Sequence, residues 1–208
     1  MSEYFVPAGS GEAEFVEKRS SFLGHVRFVE TEDAAREFIN EMKKKHYDAR
    51  HNCWCYIIRD GAVRYSDDGE PQGTAGLPML EVFKREGVEN VVCVVTRYFG
   101  GVLLGTGGLL RAYTKSAKDA LDAAGIAAVR RWVKLETVCP YSLLERMKTE
   151  CLALDGVVEN IEYGADVRLT LLLPEAKAEA FCARVTELSA GQSRAQAVGE
   201  ELMPVRVR

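Results

Sequence analysis

The sequence has no excess of positive charge. Its 27 Lys and Arg stand against 31 Asp and Glu, a formal net charge of −4. A protein holding polyanions by bulk charge would be basic, so any polyanion site here must be local. Only 3 His occur, which is few for a hydrolase built on a cluster of metal-binding imidazoles and carboxylates. The 6 Cys (Cys53, Cys55, Cys93, Cys139, Cys151 and Cys182) form no CxxC pair and no regular framework. They are expected as reduced thiols, most acting as small core hydrophobes, in a cytoplasmic protein. Long hydrophobic runs are missing too. Leu169 to Leu173 is among the longest and is far too short to span a bilayer. Met1 to Tyr4 lacks the basic stretch and apolar run of a signal peptide, so no membrane partner is expected. There is no low-complexity segment, and the two halves show no internal repeat.

What is present is an ordinary globular composition, 47% hydrophobic and 28% charged, over 208 residues. That is enough chain for one large domain or two small ones. The first part reads as two strands, Glu12 to Lys18 and Ser21 to Val29, then a helix. Thr31 can cap that helix, Glu32 and Asp33 suit its positive end, and Lys43, Lys44 and Lys45 suit its negative end. Ala34, Ala35, Phe38, Ile39 and Met42 form its apolar stripe. His51 to Ile58 is a strand that a turn at Arg59-Asp60-Gly61 folds back onto Ala62 to Tyr65. A short helix runs from Leu77 to Glu86, with Pro78 in its first turn. Val91 to Thr96 is β-branched but for Cys93, as in a buried strand. A longer helix is expected from about Leu109 to Ala124, with Leu110, Tyr113, Ala117, Leu121 and Ala124 on one face. Gly125 stops it and marks the domain boundary, giving domains 1–125 and 126–208.

The second domain reads as a β-α-β-β-α-β unit. Val129 to Cys139 is its first strand. Ser142 to Glu145 has the form of a capping box, and Leu144, Met147, Cys151 and Leu154 follow at helical spacing. Val157 to Tyr163 and Val167 to Leu173 are strands. Pro174 opens a helix with Phe181, Val185 and Leu188 inward, and the last strand lies between Ala195 and Val207. This order is that of a ferredoxin-like fold, an antiparallel sheet with both helices on one face. The fold class is therefore α+β.

Three stretches carry possible chemistry. In Arg97 to Lys115, Gly100, Gly101, Gly105, Gly107 and Gly108 allow close backbone approach. A helix start there would offer N–H groups to an anion, with Arg97, Arg111 and Lys115 adding charge. It is neither a Walker A loop nor a dinucleotide fingerprint, and a structural turn packing strand on helix would use the same residues. Asp67, Asp68 and Glu70 lie in a Gly-flanked loop, with Thr74 close by. They suit acid–base work, a Mg²⁺ ion or, as plainly, a solvated turn. His51, Cys53 and Cys55 share a strand face, but positions about 7 Å apart along a strand do not close around one zinc without a bend.

Together, Asp48-Ala-Arg-His-Asn-Cys-Trp-Cys, Ser66-Asp-Asp-Gly-Glu-Pro-Gln-Gly-Thr-Ala-Gly-Leu-Pro-Met-Leu and Arg97-Tyr-Phe-Gly-Gly-Val-Leu-Leu-Gly-Thr-Gly-Gly-Leu-Leu-Arg-Ala-Tyr resemble the YigZ/IMPACT family. The resemblance covers about the first 125 residues, and the remainder is similar to the small C-terminal domain of the bacterial members. It implies an N-terminal domain like the second domain of a small-subunit ribosomal protein, an α/β sandwich with a left-handed crossover. It implies a C-terminal domain like the last domain of elongation factor G. Eukaryotic members restrain an amino-acid-starvation kinase by competing for its ribosome-associated activator. One departure stands out: where the family stretch usually carries Lys, this chain has Leu103.

The resemblance and the anion-ready loop point to a translation-linked binding protein that engages RNA, the ribosome or a ribosome-associated partner, without DNA specificity. The alternative is a hydrolase-type enzyme acting on a phosphate-bearing or peptide-like small molecule through the Asp67–Glu70 loop. The candidate binding residues are Asp67, Asp68, Glu70, Thr74, Arg97, Tyr98, Gly100, Gly101, Gly105, Gly107, Gly108 and Arg111. No catalytic residue, metal or cofactor is assigned. The oligomeric state is left open.

Overall fold

The structure is a computed structural model and describes residues 3–208. The reading of Met1 and Ser2 therefore lies outside the described residues. The chain divides into a larger unit, Tyr4–Val129 with Pro204–Arg208, and a smaller one that holds Arg130–Met203. The division falls beyond Gly125 because one long strand, β7 (Ile126–Cys139), runs through the boundary.

The larger unit opens with β1 (Tyr4–Pro7), a strand the sequence pattern does not announce, which pairs with the first four residues of β7. Then come β2 (Gly11–Glu17), β3 (Ser20–Phe28), α1 (Glu32–Lys45), β4 (His51–Ile57), β5 (Val63–Ser66), α2 (Gly76–Glu86), β6 (Val91–Tyr98) and α3 (Gly105–Ala124). The sheet order is β2-β3-β6-β4-β5, with antiparallel neighbours. β3 and β4 flank β6, so α1 carries the chain across one strand position. As expected, the Thr31 hydroxyl caps α1 by accepting from the Ala34 N–H at 3.1 Å.

Helices cover both faces of this sheet. Ala35, Phe38, Ile39 and Met42 of α1 pack on Tyr56, Val92 and Val94. The opposite face sends Phe22, Val26, Cys53, Cys55, Cys93 and Val95 against α2 and α3. β6 is buried on both sides, which explains a run of β-branched residues interrupted only by Cys93. Gly24 lets α3 lie close, since a Cβ there would come within 2.5 Å of the Ser116 carbonyl oxygen.

Two expectations about α3 need correction. It starts at Gly105, a turn before Leu109. The buried face holds Leu109, Ala112, Tyr113, Ser116, Ala117, Ala120 and Leu121, while Leu110 is 45% exposed on the outer side. The earlier start adds a turn whose residues are mostly Gly, which apolar periodicity cannot detect.

In the smaller unit β7 continues into a 3-10 turn (Tyr141–Leu143), α4 (Leu144–Ala153), β8 (Val157–Tyr163), β9 (Val167–Pro174), α5 (Glu175–Leu188) and β10 (Gln196–Arg206). The strand order β10-β7-β9-β8 is that of the ferredoxin-like arrangement. Val167, Leu169, Leu171 and Leu173 are all fully buried on one face of β9, beneath Met147 and Cys151 of α4 and Phe181 and Val185 of α5. Each such side chain contributes roughly 1.5–3 kcal/mol of burial free energy. The capping box at Ser142 does not form. The 3-10 turn takes its place, and α4 begins with no side-chain cap. All 6 cysteines are free, and 5 of them are buried. Among the described residues no helix is long and apolar enough to cross a membrane.

Candidate functional site

The carboxylate loop between β5 and α2 points its charges inward. The Asp67 carboxylate accepts from the Gly73 N–H at 2.8 Å, the Ala75 N–H at 3.1 Å and the Gly76 N–H at 2.8 Å. It thus supplies the cap for α2 from nine residues upstream, next to the positive end of the helix dipole. Asp68 adopts a positive φ of 44° and accepts from Lys43 Nζ at 2.8 Å and the Asn52 N–H at 2.7 Å. Its carbonyl accepts from His51 Nδ1 at 2.8 Å. A carbonyl can only accept, so Nδ1 carries the proton and Nε2 is left 3.9 Å from Glu70 Oε2. The Thr74 hydroxyl donates to the Pro71 carbonyl at 2.6 Å.

Glu70 and Arg97 meet beneath this loop. Arg97 donates to Glu70 Oε1 at 2.6 Å, and the Tyr113 hydroxyl donates to the same oxygen at 2.9 Å. The side chains of Arg97 and Glu70 are 6% and 3% exposed, so the pair is a buried one. The Arg97 guanidinium lies between the rings of Phe22 and Phe99, 5.5 and 5.6 Å from their centroids. Burial pushes the Tyr113 hydroxyl and the Cys53 thiol up from their ordinary values, so neither ionises readily. Cys53 donates instead to the Asp67 carbonyl at 3.0 Å. Cys55 lies opposite Cys93 in the register, fully buried, with its thiol pushed up by desolvation. Among the described residues no group of three or more His, Cys, Asp and Glu is placed to hold a metal ion.

The Gly-rich segment behaves in the opposite way. Gly101 and Gly105 have φ of 83° and 71°, a region costly for other residues. Gly105, Gly107 and Gly108 make up most of the first turn of α3, whose start has no side-chain cap. Val102 and Leu103 are exposed, Leu103 at 83%. Gly100 is pressed on the β2–β3 hairpin. Its N–H donates to Ser20 Oγ at 3.2 Å, and a Cβ would overlap the Arg19 carbonyl. The hairpin tip is a two-residue turn, Lys18-Arg19, with φ of 45° and 67°. Such turns usually take Asn or Gly, so holding Lys and Arg there is strained.

Four cations surround this segment. Lys18 and Arg111 line one groove of about 300 Å³ beside Gly108 and Leu104. Arg19 backs onto Gly100, and Arg50 lies over the Phe99 ring at 5.7 Å. Among the described residues none of the four forms an ion pair, and all are exposed. Sequence reasoning named Arg111 but missed Lys18, Arg19 and Arg50, because the β2–β3 turn lacks the usual turn residues and Lys18 reads as the end of a strand. Tyr98 lies apart from them, its hydroxyl bonded to His46 Nδ1 at 3.0 Å and Asp48 at 3.1 Å. The structure thus joins Glu70 to Arg97, turns Asp67 and Asp68 into the loop, and leaves Gly101, Gly105, Gly107 and Arg111 on the surface.

Residues 18–121 match the Impact N-terminal domain, and residues 137–192 match a domain of unknown function, DUF1949. The chain is 39% identical over 195 residues to the IMPACT family member YvyE of Bacillus subtilis, covering 93% of this chain and 90% of that one. The chain belongs to the IMPACT family. It is also 34% identical over 204 residues to the family member YigZ of Escherichia coli, covering 96% of this chain and 100% of that one. A crystal structure described as that of a hypothetical protein has 33% identity and a TM-score of 0.60, over 96% of this chain and 98% of that one. The IMPACT pattern holds the Asp67 clasp, the Glu70–Arg97 pair and the Gly-rich turn within one continuous domain match.

Proposed function

We propose that this IMPACT family chain is a translation-linked regulatory protein. It engages RNA, the ribosome or a ribosome-associated component through the surface at the start of α3. The observation that carries the reading is the uncapped, Gly-built first turn of α3, with Lys18, Arg19, Arg50 and Arg111 exposed around it and free of carboxylate partners. Backbone N–H groups and unpaired guanidinium groups together favour phosphate oxygens. The net charge of −4 is compatible with this, because the positive groups are gathered locally. The translation link rests on the family resemblance, in which eukaryotic members act on a ribosome-associated activator. Leu103 removes one cation that the family pattern usually has, and Lys18 and Arg19 lie close enough to the segment to replace it.

Binding is favoured over hydrolysis because the carboxylates are committed. Asp67 holds three backbone N–H groups, Asp68 holds Lys43 and Asn52, and Glu70 holds Arg97 and Tyr113. A general base needs a free oxygen directed at substrate, and the one oxygen left over, Glu70 Oε2, is buried 3.9 Å from His51 Nε2. Arg97 and Glu70 enter the proposed site as supports that fix Phe99 and the loop, without touching the ligand themselves.

The test is sedimentation of the purified protein with ribosomes across a salt series, comparing wild type with Lys18→Ala/Arg111→Ala. Co-sedimentation should weaken log-linearly with salt. The double variant should bind less and show a slope shallower by roughly 0.7 for each phosphate it no longer neutralises. No co-sedimentation at about 50 mM salt would overturn the reading.

A further inference from the structure

α2 and α3 pack side by side, and their outer surfaces leave a groove of about 290 Å³ between them. Its floor is apolar, formed by Leu77, Pro78, Val82 and Leu110. Leu77 is 38% exposed and Leu110 45% exposed, on a domain that buries most of its large apolar side chains. A second depression of about 390 Å³ continues along α3 from Leu110 through Thr114 to Lys118. The two share Leu110 and Thr114, so they form one track. From Leu110 to Lys118 the helix rises about 12 Å, the span of anchors at i, i+4 and i+7 on a partner helix.

The charges along this track are of two kinds. Lys115 is paired with Asp119 at 2.7 Å, and Lys118 with Asp122 at 2.5 Å. Arg85, at the α2 rim, and Arg111, at the start of the track, are exposed and form no ion pair among the described residues. An apolar floor with unpaired guanidinium groups at its edges is complementary to a ligand that offers both aliphatic side chains and carboxylates. Glu81 and Asp119 also line the track. Both are already paired with neighbouring lysines, Glu81 with Lys84 and Asp119 with Lys115, so the charge left unpartnered on the track is positive.

We propose that the α2–α3 groove docks an acidic amphipathic helix of a partner protein. Leucine-like anchors enter between Leu77 and Leu110, and carboxylates meet Arg85 and Arg111. This surface is separate from the Gly-rich anion site except at Arg111, which borders both, and the proposal does not rest on that site. The groove is small, so the interface would belong to the weak, transient class.

The probe is a synthetic helical peptide of about 15 residues, Leu at i, i+4 and i+7 and Glu on the flank. It is titrated into the full chain by fluorescence anisotropy, with methyl NMR spectra following Leu77 and Leu110. The expected result is saturable binding with shifts at both methyl groups. Leu110→Ser and Arg85→Glu should each weaken it at least about tenfold, and a peptide with Lys in place of Glu should recover binding to Arg85→Glu. Both substitutions lie on exposed positions, and thermal melts confirm that the variants are folded. Lys18→Ala should leave the peptide affinity unchanged. The proposal is overturned if no saturation appears up to about 1 mM peptide, or if the two substitutions leave the affinity unchanged. It is equally overturned if an oligouridylate moves the Leu77 and Leu110 methyl signals and displaces the peptide.

Discussion

Two loops of the larger unit offer the same kind of promise in sequence and take opposite forms in structure. Ser66 to Gly76 is acidic and Gly-containing. Arg97 to Gly108 is Gly-rich and carries one cation. In the first, the acidic groups turn inward and are spent on four backbone N–H groups, a lysine, an arginine and a tyrosine. In the second, the turn at the start of α3 faces outward with its N–H groups uncapped and with Lys18, Arg19, Arg50 and Arg111 unpaired around it, while its own Arg97 is drawn into the clasp. A charged residue in a loop indicates chemistry only when its hydrogen-bonding capacity is left over. The carboxylate loop is a clasp, and the Gly-rich turn is a surface.

The largest effect should come from opening the clasp. Glu70→Ala leaves Arg97 buried without its carboxylate, and Arg97→Ala leaves Glu70 buried without its cation. Each should lower stability by about 3–5 kcal/mol, the usual cost of breaking a buried pair from one side. The double variant should cost clearly less than the sum, because it leaves no uncompensated charge. Urea unfolding of the four proteins measures this. Additive losses would mean that the pair is not coupled, and that the two loops differ less than their geometry indicates.

How far this contrast was legible depends on the range of the interactions. The ferredoxin-like unit could be read directly, since Val167, Leu169, Leu171 and Leu173 alternate cleanly and each is buried. The α1 cap at Thr31 was legible for the same reason: donor and acceptor lie three residues apart. Asp67 reaches Gly76 across nine residues, and Glu70 reaches Arg97 across 27. No local pattern encodes those distances. β6 is buried on both faces, so its sequence gives no parity from which to place Arg97 inward. Leu110 shares one edge of the apolar stripe with Ala117 and Leu121, which are buried, but in the first turns of α3 that edge is exposed.

A smaller effect separates the two faces of the sheet by pH. His25 and His46 lie on the α1 face with ring centroids 5.5 Å apart, and burial lowers both pKa values below 6.5. Glu12 and Asp48 oppose that shift, while Lys45 adds to it. The folded state therefore prefers neutral imidazole, and the unfolded chain takes up more protons at acid pH. Stability should be fully present above about pH 6.5. It should fall below that by up to about 1.4 kcal/mol per pH unit for each histidine. Urea midpoints between pH 7 and pH 5 should show the fall, and His25→Leu should flatten it. A slope unchanged in that variant would place the acid sensitivity elsewhere, with the carboxylate clasp as the first suspect.

The smallest effect is the most discriminating. Gly107 sits in the first turn of α3, where the nearest atom to an added Cβ is the flexible Arg111 guanidinium at 3.6 Å. Structurally, then, the glycine is unnecessary, and Gly107→Ala should raise stability by up to about 1 kcal/mol through helix propensity and a less floppy unfolded chain. A clasp residue has no such freedom. If the bare turn serves a ligand that approaches the backbone closely, the same methyl group should weaken ribosome co-sedimentation while the melting temperature rises. Stability and binding would then move in opposite directions, as expected where a glycine is kept for the ligand and not for the fold. If both are unchanged or improve together, close approach at α3 is not part of binding, and the weight falls on the side chains of Lys18, Arg19 and Arg50.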